Sequence, residues 1–347
     1  GSTRGMIAFG VLLLVLWLRP AGLFGAPGVA FSEPMTGTFF GRGRPLALRR
    51  WQLAAIAALA FVVLPLIADT YVLRVATIIA IFAILGVSLT LVAGTAGIMS
   101  IGQAGFFALG AYASAILVKD HGWPFWGALP VAGVLSAACA VVLISPVLKL
   151  RGHYAAIVTL GLGAIITAAI LNLPAITQGP LGITAIPPPS LFGHDIVSPR
   201  DYYWLSIALL VVVIALVHRL QRSHLGRTWR AVREDEVAAQ ASGVALGSYK
   251  SLAFALGAFV AGIAGSLLAH QYMYVNPEIF GVDVSVLALT MVVLGGMSNI
   301  AGTILGAIVL VGAPELFRPL HDVRILAYGL FLLLLIRYRP QGLWLYR

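Results

Sequence analysis

Charge is what this sequence has least of. Only 10% of its 347 residues are Asp, Glu, Lys or Arg, against about a quarter in an ordinary soluble domain. That is too little polar surface to cover a water-soluble fold of this size, so lipid must be the solvent over most of the outer face. Cysteine is nearly absent too. Cys139, the only one, excludes an intramolecular disulfide, has no Cys or His partner at metal-ligand spacing and reads as a small apolar side chain. No phosphate-binding Gly-rich loop of the P-loop pattern occurs, so the chain does not bind and split ATP in the usual way. The spacings of zinc enzymes and zinc fingers, and the Gly-x-Ser-x-Gly elbow of hydrolases, are likewise missing. No catalytic residue, metal or cofactor is expected.

What fills the chain instead is apolar: 60% of residues are hydrophobic and the mean hydropathy is +0.99. A bilayer core of about 30 Å takes roughly 20 apolar helical residues. Such runs occur at about 52–69, 75–94, 104–118, 125–148, 155–173, 202–218, 250–272, 284–297, 303–318 and 324–337. They are too continuous for the alternating pattern of a membrane barrel. The expected fold is all-α: a polytopic integral membrane protein of about ten transmembrane helices, several of them short or Gly-rich. Inside these runs Asp, Glu, Lys and Arg are almost missing. Proton-coupled carriers need ionisable relays there, so energy for uphill transport should enter from another subunit. A sodium-coupled carrier could use carbonyls and hydroxyls and stays open.

The net charge of +10 sits at the ends of the apolar runs, where it reads as topology signal and lipid-headgroup contact rather than nucleic-acid binding. Basic clusters fall at Arg42 to Arg50, at Lys149, Arg151 and His153, at Arg219 to Arg233, and at Arg337, Arg339 and Arg347. Ten spans put all four on one side, which the positive-inside rule makes cytoplasmic, the C-terminus included. The longest loop of the opposite side, 174–200, is rich in Pro and Gly. It serves as a connector or as a docking surface for an external partner.

Two segments echo others. Gly97-Ile98-Met99-Ser100 returns as Gly295-Gly296-Met297-Ser298. Paired Gly interruptions of this kind point to a transport pathway built on internal repeats, and chance in a Gly-rich chain is the competing explanation. Small residues at such turns allow close helix approach. The candidate pathway residues are Gly97, Ser100, Gly102, Gly295, Gly296 and Ser298. Arg19-Pro20-Ala21-Gly22-Leu23-Phe24 resembles Arg339-Pro340-Gln341-Gly342-Leu343-Trp344, each after a Leu-rich run. This divides the chain into a short apolar helix at 1–25, a basic Gly/Pro linker at 26–50, and a permease domain at 51–347. The stretch Met6 to Leu18 ends in Arg19-Pro20 and does not resemble a cleavable signal.

The one strongly polar internal segment is the loop 219–248. Positions 225–241 suit a short helix, with Gly243 as its C-terminal stop and Arg233 and Glu236 spaced to pair locally. A short mixed-charge helix between two spans suits docking into a groove on a soluble partner; an ordinary solvated connector is the alternative.

Several stretches carry a family resemblance, in order. They are 97–112 (Gly97-Ile98-Met99-Ser100 to Ala111-Tyr112), 150–160 (Leu150-Arg151-Gly152-His153-Tyr154 to Leu160), Thr177-Gln178-Gly179-Pro180-Leu181-Gly182-Ile183, the segment 223–243, and Met291 to Ser298. Over roughly residues 50–347 the chain resembles the M-type permease subunits of ATP-binding-cassette importers for branched-chain amino acids. Residues 1–25 resemble the last helix of the companion H-type permease, as in a fusion of the two or a truncated chain. The resemblance implies a bacterial-type inner (plasma) membrane and several partners: a second, H-type permease, two cytoplasmic ATP-binding subunits and an external solute-binding protein. The loop 219–248 then resembles the coupling loop on the ATPase, with Arg230, Arg233, Glu234, Glu236 and Gly243 as its candidate residues. Branched-chain amino acids are the implied solute, with urea, amides and aromatic acids carried by similar permeases. The rival readings are a stand-alone carrier or channel for a small polar solute and a membrane enzyme of lipid chemistry.

Overall fold

The computed structural model describes residues 69–144, 153–191 and 193–316. Their core is a bundle of long helices. Helix α1, Thr70–Leu89, runs directly into a π-helical segment, Thr90–Thr95. It is followed by α2, Gln103–Lys119, α3, Phe125–Leu143, and α4, His153–Asn172. A short α5, Pro174–Thr177, opens the long loop. Helix α6, Pro199–Arg222, starts with proline in its first turn and ends with Arg219 and Arg222 in its last, where cations suit the negative end of the helix dipole. Then come two short helices, α7, His224–Glu234, and α8, Glu236–Ala241, and the long α9, Leu246–Tyr272. Helices α10, Val282–Gly295, and α11, Ile300–Leu316, close the described part. At 1.5 Å per residue the 26-residue unit Thr70–Thr95 is about 39 Å long, enough to cross a bilayer with tilt.

Helix α9 is the axis. It lies along α2 and α3 and also touches α1; α1 in turn packs on α6 and α11, α10 pairs with α11, and α4 leans on α2. Between helices in lipid the hydrophobic drive is weak, so close packing and interhelical hydrogen bonds take over. Gly110 and Gly262 bring the backbones of α2 and α9 together. The ring of Phe106 meets Phe254 edge-on at 5.5 Å. Hydroxyls and amides replace charges inside: Gln103 Nε2 donates to Ser88 Oγ at 2.8 Å, Ser136 Oγ to the Phe106 carbonyl at 3.2 Å, and the Thr90 and Thr303 hydroxyls lie 2.7 Å apart.

The loop 174–200 is ordered by short elements. Strand β1, Ile183–Thr184, pairs antiparallel with β4, Tyr274–Val275, and β2, Ser190–Leu191, with β3, His194–Asp195. These four two-residue strands qualify the all-α expectation: three lie in the loop and β4 lies just after α9, and none crosses the bundle. Buried His270, near the end of α9, pins the loop through Nδ1 to the Pro187 carbonyl at 2.8 Å and faces Ser114 Oγ with Nε2 at 3.0 Å.

Eight of the ten runs expected to span fall wholly or mostly on described residues, and all eight are helical. Six are long and apolar enough to cross a membrane; Gln103–Lys119 and Ile300–Pro314 are shorter. Of the ten expected spans, the described residues therefore hold six full-length candidates and two short apolar helices. The runs at 52–69 and 324–337, the apolar helix at 1–25 and the linker at 26–50 lie outside the described residues.

Candidate functional site

The segment between α6 and α9 sits at one end of the bundle, and its sequence explains its shape. Gly226 lets the chain turn tightly after α6, since a Cβ there would collide with the backbone of Gln221. Helix α7 then runs to Glu234 and stops. Asp235 leaves helical geometry at φ −153° and ψ 109°, and its Oδ1 accepts from the amides of Val237 at 2.8 Å and Ala238 at 3.0 Å. It thereby caps α8. The single helix expected over 225–241 is thus two helices with an Asp hinge. Gly243, at φ +85°, ends the second. Its amide donates to the Gln240 carbonyl at 2.9 Å and that of Val244 to Ala239 at 3.1 Å, the paired bonds of a Schellman stop.

One face of α7 is fixed to the bundle. Trp229 is fully buried, and its Nε1 donates to the Tyr249 carbonyl at 2.8 Å. Thr228 and Val232 are buried beside it. The opposite stripe, Arg227, Arg230, Ala231 and Glu234, is exposed, at the i, i+3, i+4, i+7 spacing of a helix face. Val237 of α8 continues it with 64% exposure.

The candidate coupling residues therefore separate. Arg230 and Glu234 face outward. Glu236 and Arg233 do not form the expected local pair. Glu236 Oε1 accepts from Lys250 Nζ at 2.6 Å, at the start of α9. Arg233 turns inward, where Nη1 donates to the Gly94 carbonyl and to Ser298 Oγ. Burial pulls the Arg233 guanidinium below its ordinary pKa, while neighbouring Glu234 pushes it up. Gly94 belongs to the π segment, whose last carbonyls have no partner of their own within the helix.

The candidate pathway residues lie at two turns that the fold brings together. Gly97, at φ +73°, packs on Arg233; a Cβ there would lie 2.8 Å from the Arg233 Cγ. Ser298, at φ +72°, donates its hydroxyl to the Gly94 carbonyl. Gly296 is left-handed too, at φ +99°, and Gly295 lies against Gly302 of α11. Ser100 is buried, and Gly102 rests on the Thr159 carbonyl of α4. Beside Gly102 a cleft of about 270 Å³ opens between α2, α4 and α10, walled by small and apolar groups including Ala104, Gly105, Gly163, Thr167, Phe280 and Ser285. None of the six candidates is in its wall.

Comparison with known proteins decides the class. Residues 71–337 match the family described as branched-chain amino acid transport system / permease component. The high-affinity branched-chain amino acid transport system permease protein LivM of Escherichia coli is 40% identical, over 84% of this chain and 74% of its own. The LivM protein of Salmonella typhimurium is 41% identical over 78% and 69%. The permease protein LivH of Escherichia coli is 28% identical over 66% and 79%. No solved structure matched. The chain belongs to this permease family. It is a multi-pass membrane permease and not an enzyme, which sets aside both the lipid enzyme and the stand-alone carrier.

Some residues of the permease that hold its geometry carry little signal in sequence. Trp229 reads as one aromatic in a polar loop, and only its spacing from Val232 hints at a buried face. Lys250 and His270 are isolated, and nothing local points to Glu236 or Pro187 as their partners.

Proposed function

We propose that the chain is the M-type permease subunit of an ATP-driven importer for branched-chain amino acids, and that segment 224–243 is where a separate ATPase docks. One observation carries the docking reading. An exposed stripe of Arg227, Arg230, Ala231 and Glu234 stands on a helix whose other face is clamped to the bundle by Trp229. A solvated connector needs neither the clamp nor a stripe with both signs of charge on one face. ATP is bound by the partner, so this chain needs no cofactor of its own. Dimerising ATPases push the segment, and the helices alternate between outward and inward access. The pathway runs beside the turns at Gly97, Ser100, Gly102, Gly295, Gly296 and Ser298. The cleft next to Gly102 is apolar enough for an aliphatic side chain.

The partner set is an H-type permease, two ATP-binding subunits and an external solute-binding protein that meets the loop 174–200. Relatives of both M and H types are similar to this chain, which supports the pairing. The full count of about ten spans, a cytoplasmic C-terminus and the division into 1–25, 26–50 and 51–347 belong to the same proposal. The test is charge reversal on the exposed stripe. Arg230→Glu with Glu234→Lys should abolish co-purification of the ATP-binding subunits and ATP-dependent leucine uptake into liposomes. Undiminished co-purification and uptake would reject the docking surface.

A further inference from the structure

The two turns that echo each other come from opposite halves of the chain, and one side chain from the polar segment joins them. Arg233 Nη1 donates to the Gly94 carbonyl at the end of the π segment and to the hydroxyl of Ser298 after α10. The Ser298 hydroxyl donates to the same Gly94 carbonyl. The three groups close a triangle in which every bond has a legitimate donor: the two N–H groups of Nη1 serve two acceptors, and the serine oxygen both accepts and donates. The guanidinium also lies at the negative end of the α1 dipole.

Two details give this triangle a purpose beyond packing. Ser298 sits at φ +72°, a conformation that costs a non-glycine residue energy and that glycine adopts freely. Glycine would suit the backbone better, but only a side chain with a hydroxyl completes the triangle. Gly97 has the complementary role. Any side chain there would strike Arg233, with even a Cβ only 2.8 Å from its Cγ. So the first turn is open where the arginine passes, and the second is strained where the arginine ends.

The other clamps of the segment go elsewhere. Trp229 and Glu236 bind to Tyr249 and Lys250, on α9, the helix that directly follows the segment. Gln221 Nε2 reaches Thr95 Oγ1 at 3.0 Å from the end of α6, on the α1 side alone. Arg233 reaches both α1 and the turn after α10. Its planar guanidinium is pre-organised for two acceptors at once.

We propose that Arg233 is the positioning residue that transmits displacement of the segment to α1 and α10 together, acting through Gly94 and Ser298 and not as a contact on the ATPase. This rests on segment 224–243 being the docking site.

The experiment uses the full complex, with companion permease, ATP-binding subunits and binding protein, in liposomes. It reads leucine taken up per ATP hydrolysed, and which subunits co-purify. Arg233→Ala should keep the ATP-binding subunits and their hydrolysis while uptake per ATP falls about tenfold, within the range of inter-site couplings. Arg233→Lys should recover part of the loss, since it restores charge and donors. Ser298→Gly should lower uptake per ATP in the same direction with thermal stability unchanged or raised, because the backbone strain is relieved. A merely structural serine would not separate those two readouts. An unchanged ratio in Arg233→Ala or Ser298→Gly overturns the proposal. So does loss of the ATP-binding subunits from an Arg233→Ala permease that still pairs with its companion. Where Arg233→Ala fails to assemble, Ser298→Gly decides alone: a fallen ratio supports the link and an unchanged one overturns it. The Arg230→Glu, Glu234→Lys variant separates the two levels. If it keeps its ATP-binding subunits, the docking reading has failed, whatever Arg233 does.

Discussion

Lys250 is the buried cation of α9, and what it requires sets the strength of the clamp beneath the polar segment. Its side chain is 6% exposed and meets Glu236 at 2.6 Å. Removing one partner of a buried pair leaves an uncompensated charge and costs about 3–5 kcal/mol, while replacing both with apolar groups of similar size is often neutral. Glu236→Gln should therefore destabilise the solubilised permease more than the double change Glu236→Leu, Lys250→Met. Thermal unfolding of the two single variants and the double checks this as a cycle; additive losses would refute it. Trp229 is the apolar counterpart. Trp229→Ala empties a fully buried site and removes the indole donor from the Tyr249 carbonyl, a loss of about 3–5 kcal/mol. The same thermal measurement reads it, with protease sensitivity of 224–243 expected to rise.

Among the elements, the break between α7 and α8 is the most informative. The run Glu234-Asp235-Glu236 reads in sequence as a charged helix surface, so one helix was the natural expectation. Asp is also a good cap, and its carboxylate competes with the helix for nearby amides; which of the two wins depends on how α7 is held by Trp229. Asp235→Ala should cost α8 about 1 kcal/mol, and Asp235→Asn much less, because Asn caps as well. Hydrogen exchange at the Val237 and Ala238 amides should quicken about fivefold in the alanine variant. No change would mean the cap does not hold α8. The long helices were legible because each is a continuous apolar run, and Gly243 because a helix needs a left-handed stop. The direction of Arg233 was not legible. Its partners lie 139 and 65 residues away, and helical periodicity alone suggested Glu236. The recurring Gly-x-Met-Ser turns were visible as a pair, but their meeting at one arginine side chain exists only in three dimensions.

At the scale of the whole molecule, near-absence of charge is the feature that orders everything else. The bundle packs through glycines and hydroxyls, its charges lie at the ends of the helices, and segment 224–243 carries a mixed-charge stripe at the end opposite the loop pinned by His270. With Cys139 replaced by alanine, single cysteines at Arg227 and at Leu191 should react with an impermeant thiol reagent from opposite sides of the membrane. Reaction from the same side would overturn the arrangement. The central claim is that ATP's work enters through the exposed stripe of α7. The most direct measurement places a photo-crosslinking amino acid at Arg230 in the assembled complex, with exposed Val211 of α6 as the control on a membrane-spanning helix. A crosslink from position 230 to the ATP-binding subunit, and none from position 211, is the predicted result; a complex that assembles and transports but gives no such crosslink from 230 would contradict it.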